Sequence, residues 1–308
     1  ATTPAERAPE PVSPGGPVSP RPVPVPQPGA TELTFTAVDV GQGDGLVLTT
    51  NTGFSMVVDT GTRRGSRALL KELGRQSVDE IDLLVLTHPH ADHISGTRDL
   101  LKMHDVKQAW VSGFKATTQV YRRTVAALDR SGAKVHIVRQ GRRLVVTPKL
   151  KITVLWPRTP LLRGTRSDPN SNSVVLWIQH GTVDFLLTGD AERETELRLL
   201  PLLKRLGGGA LEVLKVAHHG SGKSSIPAFL RRVRPRVAII SCGRRNRYGH
   251  PSPKTLQRLR SVGAKIYRTD TQGTIRVWSN GKTFRVTTDG VPVSWRVRAP
   301  GPRPLVAA

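Results

Sequence analysis

The chain has 308 residues, of which 47 are Lys or Arg and 23 are Asp or Glu, so its net charge at pH 7 is +24. That length allows one large domain or two packed halves, and the charge predicts a polyanionic partner: nucleic acid first, with anionic cell-wall polymers or membrane surfaces as rivals. The single cysteine, Cys242, excludes an internal disulfide and a cysteine-based metal site.

Residues 1–30 are crowded with proline and glycine and carry no apolar period, which is typical of an extended, polyproline-like spacer. The two acidic and two basic side chains of this segment cancel, so the net positive charge belongs to the rest of the chain. We expect a disordered spacer over 1–30, one hydrolase-sized domain over 31–290 and a Pro- and Arg-containing tail over 291–308.

The pattern of hydropathy predicts no membrane-spanning segment, and no signal peptide is recognisable. The sequence begins at Ala1 without Met and opens on the spacer, which fits a mature secreted protein, a domain cut from a larger or anchored one, or a tag-trimmed product. We expect a secreted or extracytoplasmic location, with the cytoplasm as the alternative. The sequence does not indicate an oligomeric state.

The first half of the domain begins with β-hairpins and continues as alternating strands and helices. Glycine-rich turns separate the first strands, and Gly74 closes the first helix. The predicted strands are 33–39, 45–50, 54–58, 81–86, 109–112 and 134–138, and the predicted helices are 66–74, 96–104 and 117–130.

The strand at 81–86 runs directly into a cluster of metal-binding side chains. Its apolar run is typical of a strand covered on both faces, and Pro89 ends it. The following loop carries three histidines and one aspartate within six positions: His88, His90, Asp92 and His93. Imidazole together with carboxylate suits Zn, Mn or Fe more than Ca or Mg. A solvated polar loop is the alternative interpretation.

The second half repeats the order of the first, with hairpins before alternating strands and helices. Two of its strands deliver further polar groups at their ends, Asp190 after one and the pair His218 and His219 after another. Strands are predicted at 143–156 with a break at Pro148, then at 174–179, 183–187, 211–217, 236–241 and 264–268; helices at 191–205, 224–233 and 252–262; a polar loop at 163–172; and a hairpin at 274–288. This repetition outlines an α/β fold of the four-layered αββα sandwich type.

The chain resembles the metallo-β-lactamase superfamily, and more closely the soluble hydrolase domain of ComEC-type DNA-uptake proteins. The membrane channel of such proteins is absent from this sequence. The resemblance rests on motifs in the expected order over most of the domain. These are Val38-Asp-Val-Gly-Gln-Gly-Asp44, Asp59-Thr-Gly61, Thr87-His-Pro-His-Ala-Asp-His93, Leu187-Thr-Gly-Asp190, Leu214-Lys-Val-Ala-His-His-Gly-Ser221, Asn246-Arg-Tyr-Gly-His-Pro251 and Tyr267-Arg-Thr-Asp270 with Gly273.

The resemblance implies two divalent metal ions, Zn or Mn, that share a bridging hydroxide. His88 and His90 would hold one ion, and Asp92, His93 and His219 the other. Asp190 would bridge both. His219 is preferred over His218 as the ligand because it directly precedes Gly220, as the last ligand of the superfamily precedes its glycine.

Three residues are candidates for direct roles in the chemistry: Asp92, His218 and His250. His218 would face the substrate as a phosphate contact or as the proton donor to the leaving oxygen, with simple packing as the alternative. A further histidine ligand of many superfamily members is replaced here by the segment 170–173, which includes Asn172. The ComEC-like branch shares this pattern. We expect one tight and one weaker metal site.

Three aspartates at strand ends, Asp39, Asp44 and Asp59, are expected to orient the ligand imidazoles, with ordinary turn chemistry as the alternative. A second set of side chains is expected to contact substrate or phosphate, and a solvated basic surface is the alternative for its cationic members. This set comprises Ser221, Lys223, Asn246, Tyr248 and Asn172, with Lys215, Arg244, Arg245 and Arg247 as further attractors of a nucleic-acid backbone.

We expect a metal-dependent phosphodiesterase or nuclease that acts on DNA without sequence specificity, during DNA uptake or extracellular DNA degradation. One alternative keeps the enzyme and changes the substrate to a small phosphodiester or ester. Another is a polyanion-binding module whose metal site is degenerate.

Overall fold

The computed structural model describes residues 31–205, 211–289 and 297–298. The predicted spacer lies outside the described residues, as does most of the predicted C-terminal tail. Within that tail, Val297–Arg298 is a short strand that pairs with the last hairpin.

The first half contains six strands and four helices among the described residues. They are β1 (Leu33–Ala37), β2 (Gly45–Thr50), β3 (Ser55–Thr60), α1 (Ser66–Arg75), β4 (Glu80–Leu86), α2 (Ala91–Ile94), α3 (Thr97–Met103), β5 (Asp105–Val111), α4 (Gln119–Arg130) and β6 (Lys134–Ile137). The strand predicted at 109–112 begins four residues earlier, at Asp105, because Val106 also pairs with β4 and is buried.

The second half repeats this order and ends with a hairpin. Its elements are β7 (Arg143–Thr147), β8 (Leu150–Trp156), α5 (Asp168–Ser171), β9 (Val175–His180), β10 (Val183–Leu187), α6 (Arg193–Arg205), β11 (Val213–Lys215), a 3₁₀ turn (Ala217–Gly220), α7 (Pro227–Val233), β12 (Val237–Ile240), α8 (Pro253–Ser261), β13 (Lys265–Arg268), α9 (Thr269–Gln272), β14 (Ile275–Ser279), β15 (Thr283–Thr288) and β16 (Val297–Arg298). Two expectations need correction: the polar loop contains a helical turn, α5, and the strand predicted at 211–217 is shorter.

The strands form two mixed sheets. Across the described residues, the first has the order β16-β15-β14-β1-β2-β3-β4-β5-β6, and the second has the order β13-β12-β11-β10-β9-β8-β7. In each sheet an antiparallel part adjoins a run of four parallel strands, β3 to β6 in one and β10 to β13 in the other. This is the predicted αββα sandwich.

The core is divided into three apolar layers, one between the sheets and one beneath the helices on each outer face. The sequence of β4 is apolar throughout because both faces of the strand are buried. Val85 faces the layer between the sheets, whereas Leu84 and Leu86 face the outer layer. Phe35 and Phe185 meet across the inner layer with ring centroids 5.6 Å apart. None of the helices in the described ranges is both long and apolar enough to cross a bilayer.

Candidate metal centre

Six side chains with metal-binding chemistry meet where strands of both sheets end. The loop after β4 carries four of them, and the loops after β10 and β11 carry one each. β4 belongs to one sheet and β10 and β11 to the other, so these loops meet where the strand ends of the two packed sheets lie side by side. The six are the predicted ligands: His88, His90, Asp92, His93, Asp190 and His219.

Their donor atoms form overlapping groups, within each of which all atoms lie within 4.8 Å of one another. Asp190 belongs to more than one group and therefore has a bridging position. The groups are His88, His90 and Asp190; Asp92, His93 and His219; and Asp44, His93 and Asp190.

The carboxylate of Asp190 faces both sides of the cluster. Its Oδ2 lies 3.7 Å from Nε2 of His88, while its Oδ1 lies 3.3 Å from Nε2 of His93 and 3.6 Å from Nε2 of His219. Nε2 of His219 is also 3.3 Å from Oδ2 of Asp92. The distances support the predicted division into two sites that share one carboxylate.

Three atoms of these groups are buried without a hydrogen-bond partner, namely Nε2 of His88 and Oδ1 of both Asp190 and Asp44. Buried polar atoms are nearly always partnered, so orphaned atoms that point into a His/Asp cluster fit the ligation of a cation. The donor set of imidazole nitrogen and carboxylate oxygen suits Zn or Mn. The residues present therefore fit the divalent ions that the sequence predicts.

The electrostatics of the cluster favour neutral His88 and ionised Asp190. Burial, followed by the neighbouring His93, lowers the pKa of His88 well below its ordinary value. Burial alone would raise the pKa of Asp190, but His93, His219 and His218 outweigh it and hold that pKa well below its ordinary value. A neutral imidazole and a carboxylate are the forms that bind metals.

Asp59 holds the metal loop in place from the end of β3. Its carboxylate accepts hydrogen bonds from the backbone N–H of Thr87 (2.8 Å), the Thr87 hydroxyl (2.7 Å) and Nδ1 of His93 (2.7 Å). The backbone of Asp59 is left-handed, with φ at 57°. The imidazole-orienting role predicted for Asp59 has support in this geometry, because Nε2 of His93 is left free to face Asp190.

Gly43 allows the turn before β2 to lie against the metal loop. A Cβ atom on this residue would stand 2.0 Å from the backbone oxygen of Asp92, and φ is +121°. The N–H of Asp44 donates to that same oxygen (3.3 Å). The glycine of the Gly-Gln-Gly-Asp motif therefore permits a close backbone contact with the metal loop, and this contact places Asp44 next to the site.

Asp44 forms a buried ion pair with Lys215, at 2.8 Å between Nζ and Oδ2, and both side chains are excluded from solvent. Oδ1 of Asp44 lies 3.5 Å from Nδ1 of His219, which also donates to the Ser241 carbonyl (3.0 Å). Burial would raise the pKa of Asp44, but Lys215 and His219 reverse the effect and lower it. The expectation that Lys215 attracts nucleic acid is wrong, because its ammonium group is buried in this pair.

Asp39 takes the turn role that was the alternative for all three aspartates. Its Oδ1 accepts the N–H of Gly41 (3.1 Å), and its own N–H donates to the hydroxyl of Thr274 (3.2 Å). The first is a local turn contact, and the second ties this turn to the residue just before β14.

His218 lies at the mouth of the cluster, partly exposed, and is oriented by a carboxylate that the sequence analysis missed. Its Nδ1 lies 3.2 Å from Oε1 of Glu192, and its Nε2 lies 3.7 Å from Oδ2 of Asp190. Glu192 is in turn held by Arg166 and by the side-chain amide of Asn170 (3.2 Å). The available signal was a second carboxylate two residues after Asp190.

The pKa of Glu192 is low despite its burial. Burial would raise it, but the hydrogen bonds from His218 and Arg166 lower it to about 2. His218 itself has a left-handed backbone, φ 50° and ψ 46°, as does His219. This 3₁₀ turn ends β11 early and directs the two rings apart, one to Glu192 and one to the ligand cluster.

The segment that replaces the additional histidine ligand is buried, and its amides are mostly engaged. Asn172 does not reach the substrate region through its amide, which accepts the N–H of Leu162 and donates to the carbonyls of Leu162 and Asp168. Two members reach the site: the Ser173 hydroxyl accepts the N–H of Asp190 (3.2 Å), and Nδ2 of Asn170 lies 3.4 Å from Nδ1 of His218, with its buried Oδ1 unpaired.

The loop between β12 and α8 brings His250 to the site. Asn246 closes this loop: its amide donates to the Gly243 and His250 carbonyls and accepts the N–H groups of Tyr248 and His250. Asn246 is thus a positioning residue for the loop rather than a free phosphate contact. Burial, then His218 and His219, lower the pKa of His250 to about 4.

Tyr248 and His250 form a stacked pair that leads from solvent to the cluster. Their ring centroids are 5.8 Å apart, and the ring centroids of His250 and His218 are 5.5 Å apart. The Arg247 guanidinium covers Tyr248, which is 53% exposed. The tyrosine ring is therefore partly engaged by both neighbours and partly exposed.

The remaining predicted contacts lie around the same mouth. Ser221 is buried, and its hydroxyl accepts the N–H of Lys223 (3.3 Å). The Lys223 side chain is exposed, as are Arg244 and Arg245. Arg244 also donates from Nε to the Asp270 carbonyl (3.3 Å), and the exposed charges of all three side chains can meet a polyanion.

The chain belongs to the metallo-beta-lactamase superfamily, whose model matches residues 38–244. It is 31% identical over 264 residues to ComE operon protein 3 of Bacillus subtilis, covering 80% of this chain and 33% of that protein. It is 29% identical over 267 residues to competence protein ComA of Neisseria gonorrhoeae, covering 84% of this chain and 34% of that protein. The chain therefore spans about a third of the length of the curated relatives it matches.

A solved structure with the same fold is CmlA, a diiron β-hydroxylase from Streptomyces venezuelae. The TM-score is 0.52 at 15% identity, covering 79% of this chain and 53% of that one. At this identity the likeness shows the fold alone. The predicted family and fold are confirmed.

Proposed function

We propose that this chain is a metal-dependent phosphodiesterase that cuts DNA. The observation that carries the proposal is the position of Asp190, whose two oxygens face two groups of buried or partly buried imidazole and carboxylate side chains. Two divalent ions held there would activate water and neutralise the charge that develops on a phosphodiester.

The residues around the cluster suit a phosphodiester substrate. Cationic side chains at the mouth, Lys223, Arg244 and Arg245, are exposed and would hold the strand through its phosphates. Nε2 of His218 points toward Asp190 from the open side, while its Nδ1 is fixed by Glu192. We assign His218 the donation of a proton to the leaving oxygen.

The biological setting is also a proposal. One relative is named competence protein ComA and another ComE operon protein 3, and the name of the first supports a role in DNA uptake. We infer that the activity lies outside the cytoplasm and that the strand is single or is degraded as it passes. The net charge of +24 supports DNA binding without sequence readout.

The test is incubation of protein reconstituted with Mn²⁺ or Zn²⁺ with linear and circular, single- and double-stranded DNA. A His90→Ala variant is the matched control, because it removes one predicted ligand at a half-exposed position. We expect cleavage that depends on metal and is lost in the variant. No cleavage of any DNA, together with turnover of a small chromogenic phosphodiester, would assign the site to small substrates. DNA binding by the parent and Asp190→Ala proteins alike, without turnover, would assign the chain to a binding module.

A further inference from the structure

A small apolar cavity of about 190 Å³ lies beside the metal loop, on the outer face of the first sheet next to α4. Its walls come from α4, from the ends of β4 and β5, and from the edge strand β6. It is smaller than the roughly 300–1,000 Å³ of pockets for drug-sized ligands, so it suits a single flat ring system. Lining residues include His88, Phe114, Tyr121, Val125, Val135 and Ile137.

Exposed apolar side chains concentrate at this cavity. Val125 is 36% exposed, Val135 43% and Ile137 64%, although each could have been polar at no cost to the core. Val135 and Ile137 alternate along β6, so both point to the face that α4 shares. Apolar groups gathered at one depression indicate a contact surface.

The cavity adjoins the metal centre. His88, a predicted ligand, and Pro89, which follows it, both line the cavity. The side chain of His88 is completely buried and lies between the cavity and the metal centre. A group in the cavity would therefore lie directly against the wall of the metal centre.

Cations stand around the cavity. Lys115 is exposed and lines it, as does the exposed carboxylate of Asp129, so the positive excess around the cavity comes from Arg163. The guanidinium of Arg163, also exposed, lies over the ring of Phe114, 4.8 Å from its centroid. The combination of an apolar interior and a cationic surround is complementary to a nucleotide, which has a flat base attached to an anionic phosphate.

We propose that this cavity binds one unpaired nucleobase of the strand whose phosphate lies at the metal centre. The inference rests on the proposed function and specifies its substrate class. A base in a duplex is paired and stacked, so it would have to leave the helix to enter. The cavity therefore selects a single strand or a frayed end.

The direct test is methyl NMR of the full chain, labelled at Val and Ile, during titration with a short oligothymidine and with the same backbone lacking bases. We expect ring-current shifts at Val125, Val135 and Ile137 with the oligothymidine alone. Binding of the oligothymidine without these shifts would overturn the cavity proposal. Shifts caused by anionic lipid vesicles and not by the oligonucleotide would also overturn it. A parallel titration with oligouridine tests whether the base can come from an RNA strand. Shifts of these methyl groups with either oligonucleotide support base binding in the cavity.

A blocking variant supplies the second measurement. Val125→Trp fills the cavity from the exposed face of α4, and Met103→Trp adds the same ring at an exposed position that does not line the cavity. We expect about 10-fold weaker binding of single-stranded DNA by Val125→Trp, the range of one base–aromatic contact, and no change in Met103→Trp. Equal affinities of parent and both variants would overturn the proposal.

Cleavage separates this inference from the proposed function. A set of single-stranded substrates, each with one abasic position, is cut by the parent and by Val125→Trp. We expect the parent to cut one of these substrates more slowly, namely the one whose abasic position lies at a fixed place near the cut bond. Val125→Trp should cut all of the substrates at the same rate. Cleavage that ignores every abasic position would overturn the cavity alone, whereas the absence of any DNA cleavage would overturn the proposed function.

Discussion

The ammonium group of Lys215 lies 2.8 Å from the carboxylate of Asp44, and the other oxygen of that carboxylate lies 3.5 Å from Nδ1 of His219. All three side chains are excluded from solvent. The pair thus fixes a negative charge behind a predicted metal ligand whose Nε2 faces the cluster. Ligand imidazoles are commonly oriented by such a carboxylate.

Removal of the ammonium group should damage stability and metal binding together. Lys215→Met leaves Asp44 buried and unpaired, and breaking a buried ion pair in this way costs about 3–5 kcal/mol. We expect a lower free energy of unfolding in urea and weaker binding of one metal ion, measured by calorimetry. The double variant Lys215→Met with Asp44→Leu should recover much of the stability and none of the metal affinity. Full stability in the single variant would contradict the role of the pair.

Glu192 should affect turnover rather than metal binding. Glu192→Gln removes the charge that orients Nδ1 of His218, so we expect DNA cleavage to slow by about 10- to 100-fold. Metal affinity should remain that of the parent, since Glu192 is outside the ligand groups. Glu194→Gln, two residues further on, is the matched control and should cut normally. A loss of metal in Glu192→Gln would instead make this residue part of the metal site.

The two metal ions should bind with different affinities. The predicted site at His88 and His90 has the carboxylate of Asp190 as its third group, whereas the other has three groups of its own, with Oδ1 of Asp190 3.3 Å from Nε2 of His93. We expect calorimetry with Mn²⁺ to resolve a tight and a weaker site, and His90→Ala to abolish the weaker one. Two equally tight sites would contradict this account.

Metal binding should strengthen as the pH rises. Burial would lower the pKa of His219, but Asp190 and Asp44 outweigh it and raise the pKa from 6.5 to about 9. The pKa in the folded state is above that of the unfolded chain, so protonated His219 stabilises the metal-free fold. This contribution is complete below about pH 6.5 and is lost as the pH rises through about 9.

A metal ion competes with that proton. The difference in Tm between metal-loaded and metal-free protein should therefore grow from pH 6.5 to pH 9. Thermal denaturation with and without a chelator measures it. A difference that stays constant across this interval would contradict a raised pKa at His219.

Four of the six clustered side chains can be predicted together because they are local in sequence. His88 to His93 follow one buried strand, whereas Asp190 and His219 follow strands of the other sheet, so only the packing of the two sheets brings the two sets together. The two supporting carboxylate contacts are not predictable in this way. Lys215 looks like a surface cation until its burial is known, and Glu192 meets His218 only through the packing of two separate loops.

The side-chain amides are groups that the sequence assigns to substrate binding and the structure assigns to their own loops. Asn172 and Asn246 have the chemistry of substrate contacts, and a sequence cannot reveal that the backbone of their own loops already takes up their hydrogen bonds. The short strand β11 is a related case: the left-handed residues His218 and His219 end it, and residue type alone does not predict that conformation.

The central claim is that the centre shared through Asp190 cuts DNA, and the most direct measurement is the rate of cleavage of circular single-stranded DNA against Mn²⁺ concentration for the parent and for Asp190→Asn. The variant keeps the size of the side chain and removes its charge. We predict metal-dependent cleavage by the parent, its loss in the variant and unchanged DNA binding by both. Equal cleavage by the two proteins, or none by the parent at any metal concentration, would contradict the account.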